Sequence, residues 1–207
     1  MWWTRSAARS GLIVLAALTM AMMASRDGLA QSPLYSISKD YTNVRFSWSN
    51  LGLSRQSARI MAVDGSVEFD PNTPEASRVD VTMNTASLWT GIPSFDVLLK
   101  SSDFFDATRQ PTIRFRSTGV RRMGDRTGEL MGDLTIMGIT NPVTLYVVWN
   151  FTGEHPLAAV NPNYKGIFVS GFSATGVLRR SDWGLTRGVP LVSDEIEVTI
   201  ETELIRQ

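Results

Sequence analysis

The chain of 207 residues contains no cysteine and only one histidine, His155. Without cysteine there is no thiol nucleophile, no cysteine-bound metal and no disulfide framework, so the fold must rest on its apolar core. A lone histidine leaves few general bases and makes a poor zinc set, since zinc sites draw on several His or Cys ligands. His155 stands in EHP ahead of a loop rich in Pro and Asn, next to no motif, and reads as a solvated loop residue. Glycine-rich phosphate loops are absent, and GFSATG lacks the Gly-x-Ser-x-Gly elbow, which makes Ser173 a strand residue. Asp103 with Asp106, and Asp194 with Glu195, are paired acids that helix capping and strand ends explain without a glycosidase-like role. These absences point away from an enzyme. Charge excess is missing too, with 20 basic and 20 acidic residues, so bulk electrostatics attracts neither nucleic acid nor an anionic membrane.

Long apolar runs are also scarce. The one present, Gly11 to Ser25, follows a segment with Arg5 and Arg9 and no acid. It is short against the ~20 apolar residues a spanning helix needs. With GLA at 28–30 it reads as a secretory signal peptide over residues 1–30, cut after Ala30; an uncleaved anchor is the alternative. Removing Arg5, Arg9, Arg26 and Asp27 from the 20 basic and 20 acidic residues leaves 17 and 19, a net charge of −2 on residues 31–207. No membrane span is expected after cleavage, and the protein is expected to be periplasmic or secreted in a bacterial envelope.

What fills residues 31–207 is alternation. Val44, Phe46 and Trp48 share one face of a strand; Met61, Val63, Val67 and Phe69 share another; Val79, Val81 and Met83 a third. Ile113 and Phe115 alternate with Arg114 and Arg116, and Leu134 and Ile136 with Asp133 and Thr135. VTLYVVWNF places Val143, Leu145, Val147, Trp149 and Phe151 together, and Ile196, Val198, Ile200 and Leu204 oppose four glutamates. Turn signals lie between, among them DPNTP, GDRTG and GITNP. About eight strands with one apolar face each predict a single antiparallel all-β domain, a barrel or a sandwich. The inward residues are bulky, and a barrel of about eight strands is either filled by such side chains or wraps one small ligand. Periodicity leaves both options open.

The rhythm stops in LLKSSDFFDATRQPTIRF, residues 98–115. Ser94 is expected to cap a short helix, FDVLLK, and Ser102 a further turn beginning at Asp103. Leu98, Leu99, Phe104 and Phe105 are then free to cover one barrel end as a lid, with Asp106 and Pro111 closing the turn.

LLKSSDFFDATRQPTIRFRST resembles the signature segment of the YceI family, and the likeness extends through DYTNVRFSWSNLG, GSVEFDPNTPEASRVDVTMNTASLWTG, LMGDLTIMGITNPVTL, GFSATGVLRRSDWGL and SDEIEVTIETEL in order. The resemblance implies a lipocalin-like β-barrel of about eight strands with a short helical lid, which sequesters or carries a long apolar molecule such as a polyisoprenoid or isoprenoid quinone. No cofactor is implied beyond such a bound ligand, and the expected partners are that lipid and a second copy of the chain as a homodimer. Histidines common in the family fall here on Tyr41, Asn50 and Leu98, and a lid arginine falls on Phe95 beside a retained Asp96. Polar contacts made by those groups in relatives are therefore not expected, and the site should lean on chain contacts.

The expected wall comprises Phe46, Trp48, Met61, Val81, Met83, Phe115, Leu134 and Ile136, continued by Val147, Trp149, Phe172 and Trp183. Leu98, Phe104 and Phe105 are expected from the lid. Of the pairs Arg121 and Arg122, and Arg179 and Arg180, one member is a candidate for an anionic lipid head at the barrel mouth, with Arg180 the preferred one. The competing expectation is a filled barrel acting as a structural or interaction module of the envelope that binds no ligand.

Overall fold

The computed structural model describes residues 32–207; the leader expected over residues 1–30 lies outside the described residues. Eleven strands form one antiparallel sheet: β1 (Leu34–Ile37), β2 (Asn43–Asn50), β3 (Ser54–Ile60), β4 (Val63–Glu68), β5 (Arg78–Asn84), β6 (Leu88–Trp89), β7 (Thr112–Arg122), β8 (Thr127–Ile136), β9 (Ile139–Glu154), β10 (Phe168–Arg179) and β11 (Glu195–Arg206). A helix, α1 (Pro93–Lys100), lies between β6 and β7.

These eleven segments make eight wall positions. β2 pairs with the first half of β11, Ser47 facing Glu197, and β1 pairs with the second half, Ile37 facing Leu204. β3 and β4 likewise share the next position, and β5 and β6 the one after. Because β1 also bonds β11, the sheet closes into an eight-stranded antiparallel barrel and leaves no free edge along its main ring.

Breaks and bulges reset which residues face inward. Ile60 and Val63 are both buried although three positions apart, because Met61 and Ala62 fill the break between β3 and β4. Ser87 holds that break, its carbonyl accepting from the Met61 N–H at 3.3 Å and its hydroxyl from the Ala62 N–H at 2.9 Å. The extra residue shifts the alternation by one. Met61, expected inside with Val63 and Val67, is consequently 57% exposed.

A second shift lies in β9, where Trp149 faces Phe172 but Phe151 faces Gly171, so Asn150 is the bulged residue. Phe151, expected on the inward face with Trp149, is turned outward, and Thr152 takes its place inside, bonding the buried Ser170 hydroxyl at 2.6 Å. Small residues also shape the interior. A Cβ at Gly132 would stand 2.4 Å from the Phe115 ring, and one at Gly176 would stand 2.7 Å from Leu145, so both glycines let a large neighbour lie flat against the wall.

The helix begins differently from the sequence expectation. Pro93 is its first residue, where its missing N–H costs nothing, and Ile92 occupies the cap position without a side-chain bond. Ser94 does not cap it. Asp96 closes the start instead, accepting from the Thr90 N–H at 2.6 Å and the Thr90 hydroxyl at 2.7 Å. That hydrogen bonding from Thr90 lowers the Asp96 carboxyl below its ordinary value. After the helix it is Ser101, not Ser102, whose hydroxyl accepts the Asp103 N–H. The following turn folds back on the helix end, with Phe105 N–H donating to the Leu99 carbonyl and Ala107 N–H to the Lys100 carbonyl, both at 3.0 Å. Asp106 takes a left-handed conformation at φ 42°, which an Asp tolerates, and so ends the turn as expected.

Candidate functional site: an apolar cavity inside the barrel

The inward faces do not fill the barrel. They enclose a cavity of about 500 Å³, within the size range of small-molecule sites. Fifteen of the sixteen expected site residues line it, and Met61 alone does not, for the reason of phase given above. Aromatic groups mark its two ends.

At the lid end the wall is aromatic. Phe46 stacks on Trp48 with ring centroids 5.9 Å apart, and Phe95 of α1 meets Trp48 edge-on at 5.7 Å. Phe105 tilts against Phe46 at 5.9 Å. Phe95 and Leu99 lie one helical turn apart on the inward face of α1, packed with Phe104 against β2 and β3. Leu98 lines the cavity and is still 39% exposed, so the wall is one side chain thick there.

Val81, Met83, Phe115, Leu134 and Ile136, which line the cavity, pack in one core cluster with Trp183. Trp183 is buried in that cluster, and its indole N–H donates to the Leu134 carbonyl at 3.0 Å. The far end has a second aromatic group, Phe69 with Trp149 at 5.4 Å and with Phe172 at 5.0 Å, both edge-on. There the cavity reaches the β7–β8 hairpin, where the exposed Arg122, Asp125 and Arg126 form its rim. Arg126 lies over the Trp149 ring at 5.7 Å.

The arginine pairs divide as their burial dictates. Arg121 is exposed and paired with Glu129; Arg179 is exposed and paired with Asp194. Arg180 is only 8% exposed and lines the cavity. Its guanidinium donates to the Ser193 carbonyl at 2.9 Å, the Val192 carbonyl at 3.0 Å and the Leu185 carbonyl, pinning the β10–β11 loop. Burial pushes this guanidinium below its ordinary value, and nearby Asp194 pulls it part of the way back. Asp194 itself is held below the usual carboxylate range, first by the hydrogen bond from Ser181.

Residues with chemical potential lie elsewhere. His155 caps a short turn between β9 and β10 and stacks on Tyr164 at 4.2 Å, outside the cavity. Ser173 is a strand residue of β10, bonding Glu201 at 2.5 Å. Asp103 pairs with Arg187, and Asp106 with Arg109 at 3.0 Å. Among the described residues no group of three or more His, Cys, Asp or Glu is placed to hold a metal, and no helix is long and apolar enough to cross a membrane. Sequence reasoning missed Asn50 as a wall residue, along with Leu185 and Val192 of the β10–β11 loop. The loop residues carry no periodic signal, because that loop folds over the barrel end through Arg180 and the Leu51 N–H bond to the Leu191 carbonyl at 2.8 Å.

A closed eight-stranded antiparallel barrel, one end crossed by a short helix and its interior left apolar and hollow, defines a cavity-bearing barrel of the small up-and-down kind. The chain belongs to the YceI family: residues 35–204 match the YceI-like domain. It is 32% identical over 194 residues to a UPF0312 protein of Pseudomonas putida, covering 93% of this chain and 96% of that one. A UPF0312 protein of Ectopseudomonas mendocina is 34% identical over 182 residues, 87% of this chain and 91% of its own. Among solved structures, the Campylobacter jejuni YCEI protein superposes with a TM-score of 0.67 at 25% identity, covering 75% of this chain and 87% of that one. Burkholderia cenocepacia BcnA has the same fold at a TM-score of 0.70 and 19% identity, over 81% and 98% of the two chains. A polyisoprenoid binding domain from Saccharophagus degradans shares it at a TM-score of 0.57 and 11% identity, over 84% and 98%.

Proposed function

We propose that this protein sequesters or carries one long apolar chain, of the polyisoprenoid or isoprenoid quinone class, inside its barrel and does no chemistry on it. The observation that carries this reading is the hollow apolar interior, flanked by an aromatic group at each end. Every ~100 Å² of chain surface withdrawn from water contributes about 2.5 kcal/mol before ordering costs are subtracted. The name of the Saccharophagus neighbour as a polyisoprenoid binding domain supports the choice of ligand class. The cavity weighs against the filled-barrel alternative, and it is formed by a single chain, so the reading does not depend on a homodimer. Export to the periplasm or the exterior is part of the proposal and rests on the leader-like residues 1–30.

Native mass spectrometry on protein exported by its own leader and purified without detergent tests it. A mass equal to residues 31–207 plus one fixed adduct, released by organic solvent, is the expected result. A bare polypeptide that takes up neither quinones nor polyprenyl chains would overturn the reading.

A further inference from the structure

We propose that the lid end of the cavity holds an anionic head group between Arg180 and Asn50, so that the chain this barrel takes is an acid- or phosphate-terminated amphiphile; this rests on the chain-binding reading above.

Arg180 is the buried cation of the cavity wall, and among the described residues no carboxylate lies within ion-pair distance of it. The nearest acid, Asp194, is engaged by the Ser181 N–H at 2.9 Å, the Ser181 hydroxyl at 2.7 Å and Arg179 at 3.3 Å. Three guanidinium N–H groups go to backbone carbonyls of the β10–β11 loop. A guanidinium has five, so one on each terminal nitrogen is left over.

Asn50 stands beside it. The last residue of β2, it bridges to Val192, the same residue whose carbonyl Arg180 holds at 3.0 Å. Asn50 lines the cavity, and its carboxamide makes no hydrogen bond among the described residues. Two groups with donors to give thus converge on one loop residue, in a zone otherwise walled by Phe46, Trp48 and Phe95.

Physical chemistry selects the occupant. A buried cation with no carboxylate in contact is costly, since Asp194 acts on it only from beyond ion-pair distance, and an anion placed directly against it supplies that contact where low polarizability strengthens the attraction. Neutral heads such as an alcohol satisfy Asn50 but leave that charge as it was. The other cations lining the cavity among the described residues, Arg122 and Arg126, sit on the exposed rim, where water competes and a charge contact discriminates little.

The test uses three probes of equal chain length, palmitate, hexadecyl phosphate and hexadecanol, titrated into the delipidated full chain and read by the fluorescence of the cavity tryptophans. At least one anionic probe is expected to bind about ten-fold tighter than hexadecanol or better, and which of the two binds best separates a carboxylate from a phosphate head. Arg180→Met should abolish the preference while hexadecanol still binds. Asn50→Leu, whose side chain makes no hydrogen bond among the described residues, should keep the thermal midpoint and weaken binding of the anionic probes about five-fold, the scale of one hydrogen bond. Equal binding of all three probes would overturn the head-group site and leave chain binding standing; failure of all three to bind would overturn the reading beneath it. A preference lost in Arg126→Gln, with anionic-probe affinity unchanged in Asn50→Leu, would place the head at the hairpin end, against this assignment.

Discussion

The ring of Phe105, in the turn after α1, lies 5.9 Å from the ring of Phe46 on β2 at a tilt of 56°. Through this contact a segment with no strand pairing is held against the barrel wall, and the side chain that seals the end also lines the space it seals. Its neighbour Phe104 is half-buried in the same cluster. Replacing Phe104 by Asp should therefore loosen the lid more than the barrel: loss of bound ligand should exceed the loss of thermal stability. Parallel measurement of ligand off-rate and melting midpoint checks this, and equal losses would deny Phe104 a lid role.

Gly132 fixes the shape of the cavity from the opposite side. Because a Cβ there would meet the Phe115 ring at 2.4 Å and the Arg116 carbonyl at 2.6 Å, Gly132→Val must displace the ring inward or push the strands apart. Overpacking of this kind typically costs about 1–3 kcal/mol. Urea unfolding should show that loss, and a long-chain ligand should bind the variant more weakly because Phe115 takes up its space.

Trp183 and Leu134 are joined by the buried indole N–H bond of 3.0 Å. Trp183→Phe keeps most of the apolar volume and leaves the Leu134 carbonyl without this donor. An unsatisfied buried group costs about 1–3 kcal/mol. The expected outcome is a lower urea midpoint with little change in the far-ultraviolet spectrum, since β8 and its pairing to β7 and β9 do not depend on that side chain.

Asp194 makes stability depend on pH. Its carboxyl is depressed in the folded state, chiefly by Ser181, relative to an unfolded value near ~3.9. A depressed carboxylate contributes fully above the unfolded value, and its contribution is lost as pH falls through the folded one. Wild type should therefore exceed Asp194→Asn in stability at neutral pH, and the gap should narrow as pH drops below about 4. Urea midpoints for both proteins from neutral to strongly acid pH give the comparison; a gap that stays constant would mean the carboxylate's charge is not what matters.

Much of the barrel was legible because alternation has a period of two and the solvent side of each strand carries charge. Arg114 and Arg116 alternate with Ile113 and Phe115, and in the structure both reach Asp80 on the outer wall, at 2.8 and 3.0 Å. Where the backbone gains a residue, the same rule misleads. Met61 and Phe151 were placed inside by counting, and each lies just past a shift that local sequence does not announce, since a bulge is settled by the partner strand's register. Helix capping failed for a related reason: Ser94 and Ser102 are acceptable caps in isolation, but Asp96 and Ser101 hold the positions from which Thr90 and Asp103 are reached.

By itself the sequence determined the class of fold, the family, the apolar character of the interior and the place where the strand rhythm breaks for a lid. The family rests on the likeness of particular segments, and the rest follows from composition and periodicity, which are local. Only the tertiary structure decided that the bulky inward residues leave a cavity of about 500 Å³ in place of a filled core. It alone also brought Asn50, Arg180 and Val192 together across about 140 residues of chain. Cavity volume depends on how closed strands tilt and on whether glycines such as Gly132 let rings lie flat, and both are settled only when the barrel closes.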